Sequence, residues 1–218
     1  MNFLSRLKGL IEEFLFPKSE NVLELEALSS EKVLALLPRA GNISKNTLAL
    51  FDYSHPLVKE MIWELKYNGN RNIADKFGEI LYDTIVSELE ERSPFETWGR
   101  AVVIPIPVSD KRRFERGWNQ SELLLNAVEK RDASNIFKYL PRHLVKVRHT
   151  ESQTKTSNKQ ERERNLKDSM KMLTDSKVRG QCIILIDDVT TTGSTFAEAQ
   201  RALKDAGAKK ILSIAIAH

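Results

Sequence analysis

The chain has 218 residues, 41% hydrophobic and 29% charged, the balance of a folded globular protein rather than a disordered one. A single cysteine excludes an internal disulfide and any zinc site built on paired cysteines. The net charge of +4 is uneven: residues 110–179 hold 18 Lys/Arg against 10 Asp/Glu (+8), the remainder 16 against 20 (−4). A basic segment of this kind suits nucleic acid, the phosphates of a small substrate, or a plain solvated face.

Phe3, Leu4, Leu7, Leu10, Ile11, Phe14 and Leu15 fall on one helical face, and Pro17 ends that helix. Arg6, Lys8, Glu12 and Glu13 interrupt the apolar residues, so no secretory signal is expected. No apolar run approaches the roughly 20 residues that span a bilayer. The location read from these features is cytoplasmic. A second helix is predicted from Ser30 to Leu37, stopping at Pro38. Residues 1–46 read as an N-terminal helical extension that packs on the main domain.

From Pro56 to about Glu91 the pattern is helical. Leu57, Met61, Ile62 and Leu65 share one face, and Ile73, Phe77, Ile80, Leu81, Ile85 and Leu89 another, with Asn68-Gly69-Asn70 between them. Ala101 to Pro107 reads as a short buried strand, Trp118 to Lys130 as a helix, and His143 to Val147 as a strand. Residues 148–169 are polar and without apolar period, the mark of a long functional or mobile loop. Cys182 to Ile186 is an unbroken apolar run of the kind a parallel sheet buries on both faces. A helix from Thr195 to Ala206, closed by Gly207, and a strand from Ile211 to Ala217 complete the chain. Alternating strands and helices predict an α/β fold with a mostly parallel twisted sheet, which takes ligands at the carboxyl ends of its strands. Trp118 is open to two readings, core side chain or base-stacking platform. The four histidines have no metal-binding spacing, and Cys182 reads as a small core residue.

The chemistry is concentrated in Ile183 to Thr195, IILIDDVTTTGST. A buried strand ends in Asp187 and Asp188, a loop of hydroxyl residues with one glycine follows, and a helix begins. Such a loop turns successive backbone N–H groups toward one point, where the helix N-terminus adds partial positive charge. Thr191, Thr192, Gly193, Ser194 and Thr195 thus form a candidate phosphate site. The two carboxylates can accept hydrogen bonds from vicinal sugar hydroxyls, so the ligand implied is a ribose 5-phosphate. The spacing fits neither a Walker loop nor a dinucleotide fingerprint.

This segment resembles the signature of the type I phosphoribosyltransferases, which bind phosphoribosyl pyrophosphate (PRPP). Ile104 to Leu124, IPIPVSDKRRFERGWNQSELL, is similar to a segment of the ComF family, phosphoribosyltransferase-like proteins associated with DNA uptake in bacteria. Leu15-Phe16-Pro17, LKYNGNRNIADKFGEIL (Leu65–Leu81), and the ordered Arg148, Thr150, Gln153, Arg162 and Asn165 extend the likeness. The resemblance implies that Asp187 and Asp188 contact the ribose. It implies a pyrophosphate site at Val108, Ser109, Arg112, Arg113 and Arg116, and a closing loop carrying Arg148, Thr150, Gln153, Arg162 and Asn165. It further implies Mg²⁺ bound mainly through PRPP, and an acceptor it does not name. Thr191 stands where the purine-salvage branch usually has an acidic residue, which weighs against a 6-oxopurine acceptor. Two roles remain open: phosphoribosyl transfer, or a non-catalytic competence factor that binds PRPP or single-stranded DNA and meets DNA-uptake proteins. Relatives commonly carry a four-cysteine zinc ribbon after the LFP. Here KSENVLELEALSSEKVLALLP follows, without cysteine or histidine, as a short helical replacement, so no zinc is expected. The division expected is 1–46 as extension and 47–218 as phosphoribosyltransferase-like domain, with 47–99 as hood and 100–218 as core.

Overall fold

A strand as uniformly apolar as Cys182–Ile186 is stable only where both faces are covered. The computed structural model, which describes residues 19–40, 43–147 and 168–218, places it at the centre of the molecule. In chain order the elements are α1 (Glu20–Ala27), α2 (Ser30–Leu36), β1 (Thr47–Phe51), α3 (Pro56–Trp63), a one-turn π-helix (Glu64–Asn68), α4 (Arg71–Arg92) and β2 (Val102–Pro105). There follow α5 (Asp110–Arg116), α6 (Gln120–Arg131), β3 (Lys138–Tyr139), β4 (Leu144–Lys146), β5 (Met170–Met172), β6 (Cys182–Val189), α7 (Ser194–Asp205) and β7 (Lys210–Ala217). Five strands form one parallel sheet in the order β1-β7-β6-β2-β3. The fold is thus the expected α/β type.

Alternation along the strands sends side chains to two cores. Val103, Ile184, Ile186, Leu212 and Ile214 face a layer built from α2, α3, α4 and α6. Val102, Ile104, Ile183, Leu185 and Ala215 face α7 and the β4–β5 pair, through Phe196, Leu203, Leu144 and Met172. Each large side chain fully buried this way contributes about 1.5–3 kcal/mol.

Several boundaries differ from the sequence reading. Residues 47–99 do not form a hood alone, since Thr47–Phe51 is a buried edge strand paired with β7. The helix expected from Trp118 starts at Gln120, because the Asn119 side chain caps it by accepting from the Ser121 N–H at 3.0 Å. Residues 110–116 form a further helix, capped by Ser109 and closed by Gly117 at φ 84°. The strand expected at 143–147 lies outside the main sheet, pairing antiparallel with β5. The segment after the LFP is helical as expected, and Leu25, Val33 and Leu37 join the core under α3 and α4. The expected helix over residues 3–15, Leu15-Phe16-Pro17, and the loop candidates Arg148, Thr150, Gln153, Arg162 and Asn165 lie outside the described residues.

Candidate functional site

The site forms where β2 and β6, being parallel and adjacent, end together. The Ile106 N–H donates to the Ile186 carbonyl at 2.9 Å, so the chain leaves β2 beside Asp187. Asn119 then ties α6 to this edge: its Nδ2 donates to the Ile106 carbonyl at 2.9 Å while its Oδ1 caps the helix. One residue into α6, the Ser121 hydroxyl donates to Asp187 Oδ1 at 2.8 Å. The same oxygen accepts the Asp188 N–H at 2.9 Å.

Both carboxylates are buried, Asp187 at 7% exposure and Asp188 at 3%. Burial, and then the neighbouring Asp188 charge, push the Asp187 carboxyl up to about 8. Holding a proton is therefore easier for this group than for a free carboxylate. Asp188 Oδ1 accepts the Val189 N–H at 2.8 Å. Its Oδ2 lies 3.1 Å from the Lys66 ammonium but accepts no hydrogen bond among the described residues, because the approach is off the hydrogen-bonding direction. An acceptor is thus buried, charged and incompletely satisfied, a costly state that a ligand hydroxyl would relieve.

Beyond Val189, the Thr190 N–H donates to the Ala217 carbonyl at 2.9 Å, holding the chain to the end of β7. Thr191 and Thr192 are exposed, and Gly193 at φ 74° begins α7 without a side-chain cap. An uncapped start leaves N–H donors for another partner. The Thr192 and Ser194 hydroxyls lie 2.6 Å apart, and Ser194 is buried while Thr195 is half-buried. Asp187 through Thr195 are therefore brought together as one continuous edge.

The second expected group is arranged differently. Val108 and Ser109 are half-buried at the same edge, and the Ser109 hydroxyl accepts the Arg112 N–H at 3.4 Å. The arginines lie on α5, not on an open turn. Arg113 grips Glu122 with two bonds of 2.8 and 2.5 Å, and Arg142 approaches the same carboxylate at 3.4 Å. Burial alone would raise the Glu122 carboxyl, but these two guanidiniums outweigh it and hold it below its ordinary value. Arg116 lies over the Tyr67 ring, 5.0 Å from its centroid, and bonds Gln120 at 3.4 Å. Arg112 is exposed. Burial, with Arg112 nearby, lowers the Lys146 ammonium against the opposing pull of Asp187, which puts the end of β4 within electrostatic reach of the site.

Lys66 and Ser121 contact the carboxylate pair, although sequence reasoning assigned them no role and noted their segments only for a resemblance. Lys66 arrives on the π-turn. Buried Glu64 holds that turn by accepting from Asn68 at 2.8 Å and Asn70 at 3.0 Å. Trp118 is neither a core side chain nor a free platform: its Nε1 donates to the Leu65 carbonyl at 3.1 Å and its ring covers Gly69. Among the described residues no group of three or more His, Cys, Asp or Glu side chains is placed to hold a metal ion.

Residues 132–218 match the family described as the phosphoribosyl transferase domain. The chain is similar to the competence protein ComFC of Bacillus subtilis (strain 168), 29% identical over 151 residues, covering 69% of this chain and 55% of that protein. It is 29% identical over 163 residues to the DNA utilization protein YhgH of Escherichia coli O6:H1, covering 73% and 66%. It is 32% identical over 111 residues to competence protein F of Haemophilus influenzae, covering 50% and 46%. The chain thus spans about half to two thirds of the length of these relatives.

Proposed function

We infer that the chain belongs to the ComF family of type I phosphoribosyltransferase-like proteins, to which its relatives point, and that it binds PRPP at the carboxyl edge of its sheet. The observation that carries the reading is the unsatisfied Asp188 Oδ2, buried beside a hydroxyl-rich loop that opens an uncapped helix. A diol beside a phosphate fits that pair of vacancies. Asp187 can donate one hydrogen bond to a ribose hydroxyl when it holds a proton, while Asp188 accepts from its neighbour. The N–H groups at the start of α7, with the Ser194 and Thr195 hydroxyls, anchor the 5-phosphate as a handle remote from the reacting carbon.

The reaction proposed is displacement at the anomeric carbon: the bond to the pyrophosphate oxygen breaks, an acceptor atom bonds to the carbon, and positive charge builds on the ring in passing. The protein contributes positioning and fixed charge. Mg²⁺ arriving with PRPP would supply charge neutralisation of the leaving group. Two adjacent carboxylates do not make a cage for it, so no side chain is assigned as its ligand. Arg112 and the 108–109 backbone remain the proposed pyrophosphate contacts, and Arg148, Thr150, Gln153, Arg162 and Asn165 the proposed closing loop.

The names of the relatives support a place in DNA utilisation. A second reading, single-stranded nucleic acid as the ligand, is favoured by half-exposed Trp63 and Tyr67, whose rings are 5.4 Å apart with Arg116 over the second. Aromatic and guanidinium surfaces of this kind stack bases.

Calorimetry with PRPP and Mg²⁺ tests the main reading. Asp187→Asn/Asp188→Asn is expected to weaken binding by about tenfold or more, the loss of at least one charged hydrogen bond. Equal affinity in both proteins would overturn the site.

A further inference from the structure

We propose that Lys66 is a binding residue of this site that changes partner, pairing with Asp188 in the empty protein and with the ligand's pyrophosphate when PRPP is bound. The inference rests on the PRPP reading above. Two observations and the chemistry of the ligand lead to it.

The turn that carries Lys66 is purpose-built. A π-turn is an uncommon local geometry that concentrates at functional sites. Here it is held by Glu64, Asn68 and Asn70, closed by Gly69 at φ 57°, and braced from α6's approach by the Trp118 indole. The same contacts satisfy buried Glu64 and cap α4 through the Asn70 side chain, so the turn is fixed from several sides.

The pair that Lys66 makes is also a poor end-state. The two side chains are 22% and 5% exposed, so both charges have lost much of their water. Yet Asp188 Oδ2 receives no hydrogen bond in return. A buried charge pair with an unused acceptor is easily exchanged for a better-satisfied arrangement.

The chemistry of the ligand then places the new partner. In PRPP the anomeric carbon bearing pyrophosphate is bonded to the carbon bearing the 2-hydroxyl. A hydroxyl that reaches Asp188 Oδ2 takes the position Lys66 now faces, and brings the α-phosphate to the same corner. An ammonium on a flexible four-carbon stem follows the larger negative charge with a small movement. Lys66 thereby screens Asp188 until the diol arrives, and afterwards neutralises the leaving group.

The test compares PRPP·Mg²⁺ with ribose 5-phosphate, which has the diol and the 5-phosphate but no pyrophosphate. Affinities are measured by calorimetry for wild type, Lys66→Met and Lys66→Arg, with thermal unfolding as a control; Lys66→Gln replaces the methionine variant should that fail to fold. Lys66→Met is expected to weaken PRPP by about tenfold or more, for one lost charge-assisted contact. Ribose 5-phosphate should bind unchanged or tighter, and Lys66→Arg should recover most of the PRPP affinity. Equal weakening of both ligands marks a structural counter-ion and overturns the inference, as does unchanged PRPP affinity in Lys66→Met. Failure of wild type to bind PRPP overturns the underlying reading instead, and this inference with it.

Discussion

Burial of Asp187 links its proton to the stability of the fold. Its Oδ1 accepts from Ser121 and from the Asp188 backbone, yet burial and the Asp188 charge still hold the carboxyl near 8. In the unfolded chain the same group returns to about 3.8. Between those values the folded protein binds the extra proton, so this group's stabilising contribution is complete below about 3.8 and is lost as pH rises toward 8. Asn at this position imitates the protonated acid and retains an Oδ1 acceptor. Urea unfolding of Asp187→Asn at several values from pH 5 to about 8.5 should therefore lack a slope that wild type has, of at most about 1.4 kcal/mol per pH unit. Identical slopes would mean that Asp187 is charged throughout. Ser121→Ala should cost about 1–2 kcal/mol near pH 6, because it strips one donor from a buried acceptor. A loss near zero would show that Ser121 does not hold the acid.

At the level of elements, the positions that allow close approach are identifiable. A Cβ at Gly78 on α4 would lie 2.3 Å from Ala127 Cβ and 2.9 Å from the Ala127 carbonyl carbon on α6. Backbone cannot swing aside as a side-chain tip can, so Gly78→Ala should cost about 1–3 kcal/mol by overpacking. Gly99→Ala meets nothing within 4 Å, and only its φ of 55° opposes the substitution; about 1 kcal/mol is expected. Equal destabilisation of the two in denaturant melts would refute the close helix crossing. The elements also differ in how plainly the sequence announces them. Strand β6 is legible because CIILI has no polar break, and α4 because its apolar residues keep the helical period. Helix α5 is not, since DKRRFER has no apolar face and Phe114 is 92% exposed; its ends are set by the Ser109 cap and Gly117. Strand β1, TLALF, is short, and what identifies it is its parallel partner β7, far along the chain. The site divides in the same way. Asp187 through Thr195 are contiguous and could be read directly, whereas Ser121 reaches Asp187 across 66 positions, and Lys66 depends on a turn defined by tertiary contacts.

Across the whole molecule, ligand binding and charge make separable claims. A ligand that binds only the folded state at 100 times its Kd adds about 2.7 kcal/mol. For a chain of this size that raises Tm by about 5–10 °C. PRPP·Mg²⁺ is expected to produce such a shift, and Asp187→Asn/Asp188→Asn to cut it to about half or less. The surplus of +8 over residues 110–179 predicts a different signature for single-stranded DNA. A polyanion held by those charges releases condensed counterions as it binds, with a slope of log affinity against log salt of about −0.7 per phosphate neutralised. Four or five contacts would cost roughly a hundredfold in affinity for each fourfold rise in salt. PRPP·Mg²⁺ is a compact ligand without a polymer's condensed counterion atmosphere, so if it binds at the sheet edge its stabilisation should survive at about 0.3 M salt while that of an oligonucleotide fades. Thermal melts with each ligand at low and high salt separate the cases. Oligonucleotide stabilisation that persists at high salt, with none from PRPP·Mg²⁺ at either, would reverse the order of the two readings. It would make the aromatic corner at Trp63 and Tyr67, rather than the carboxylate pair, the principal binding surface.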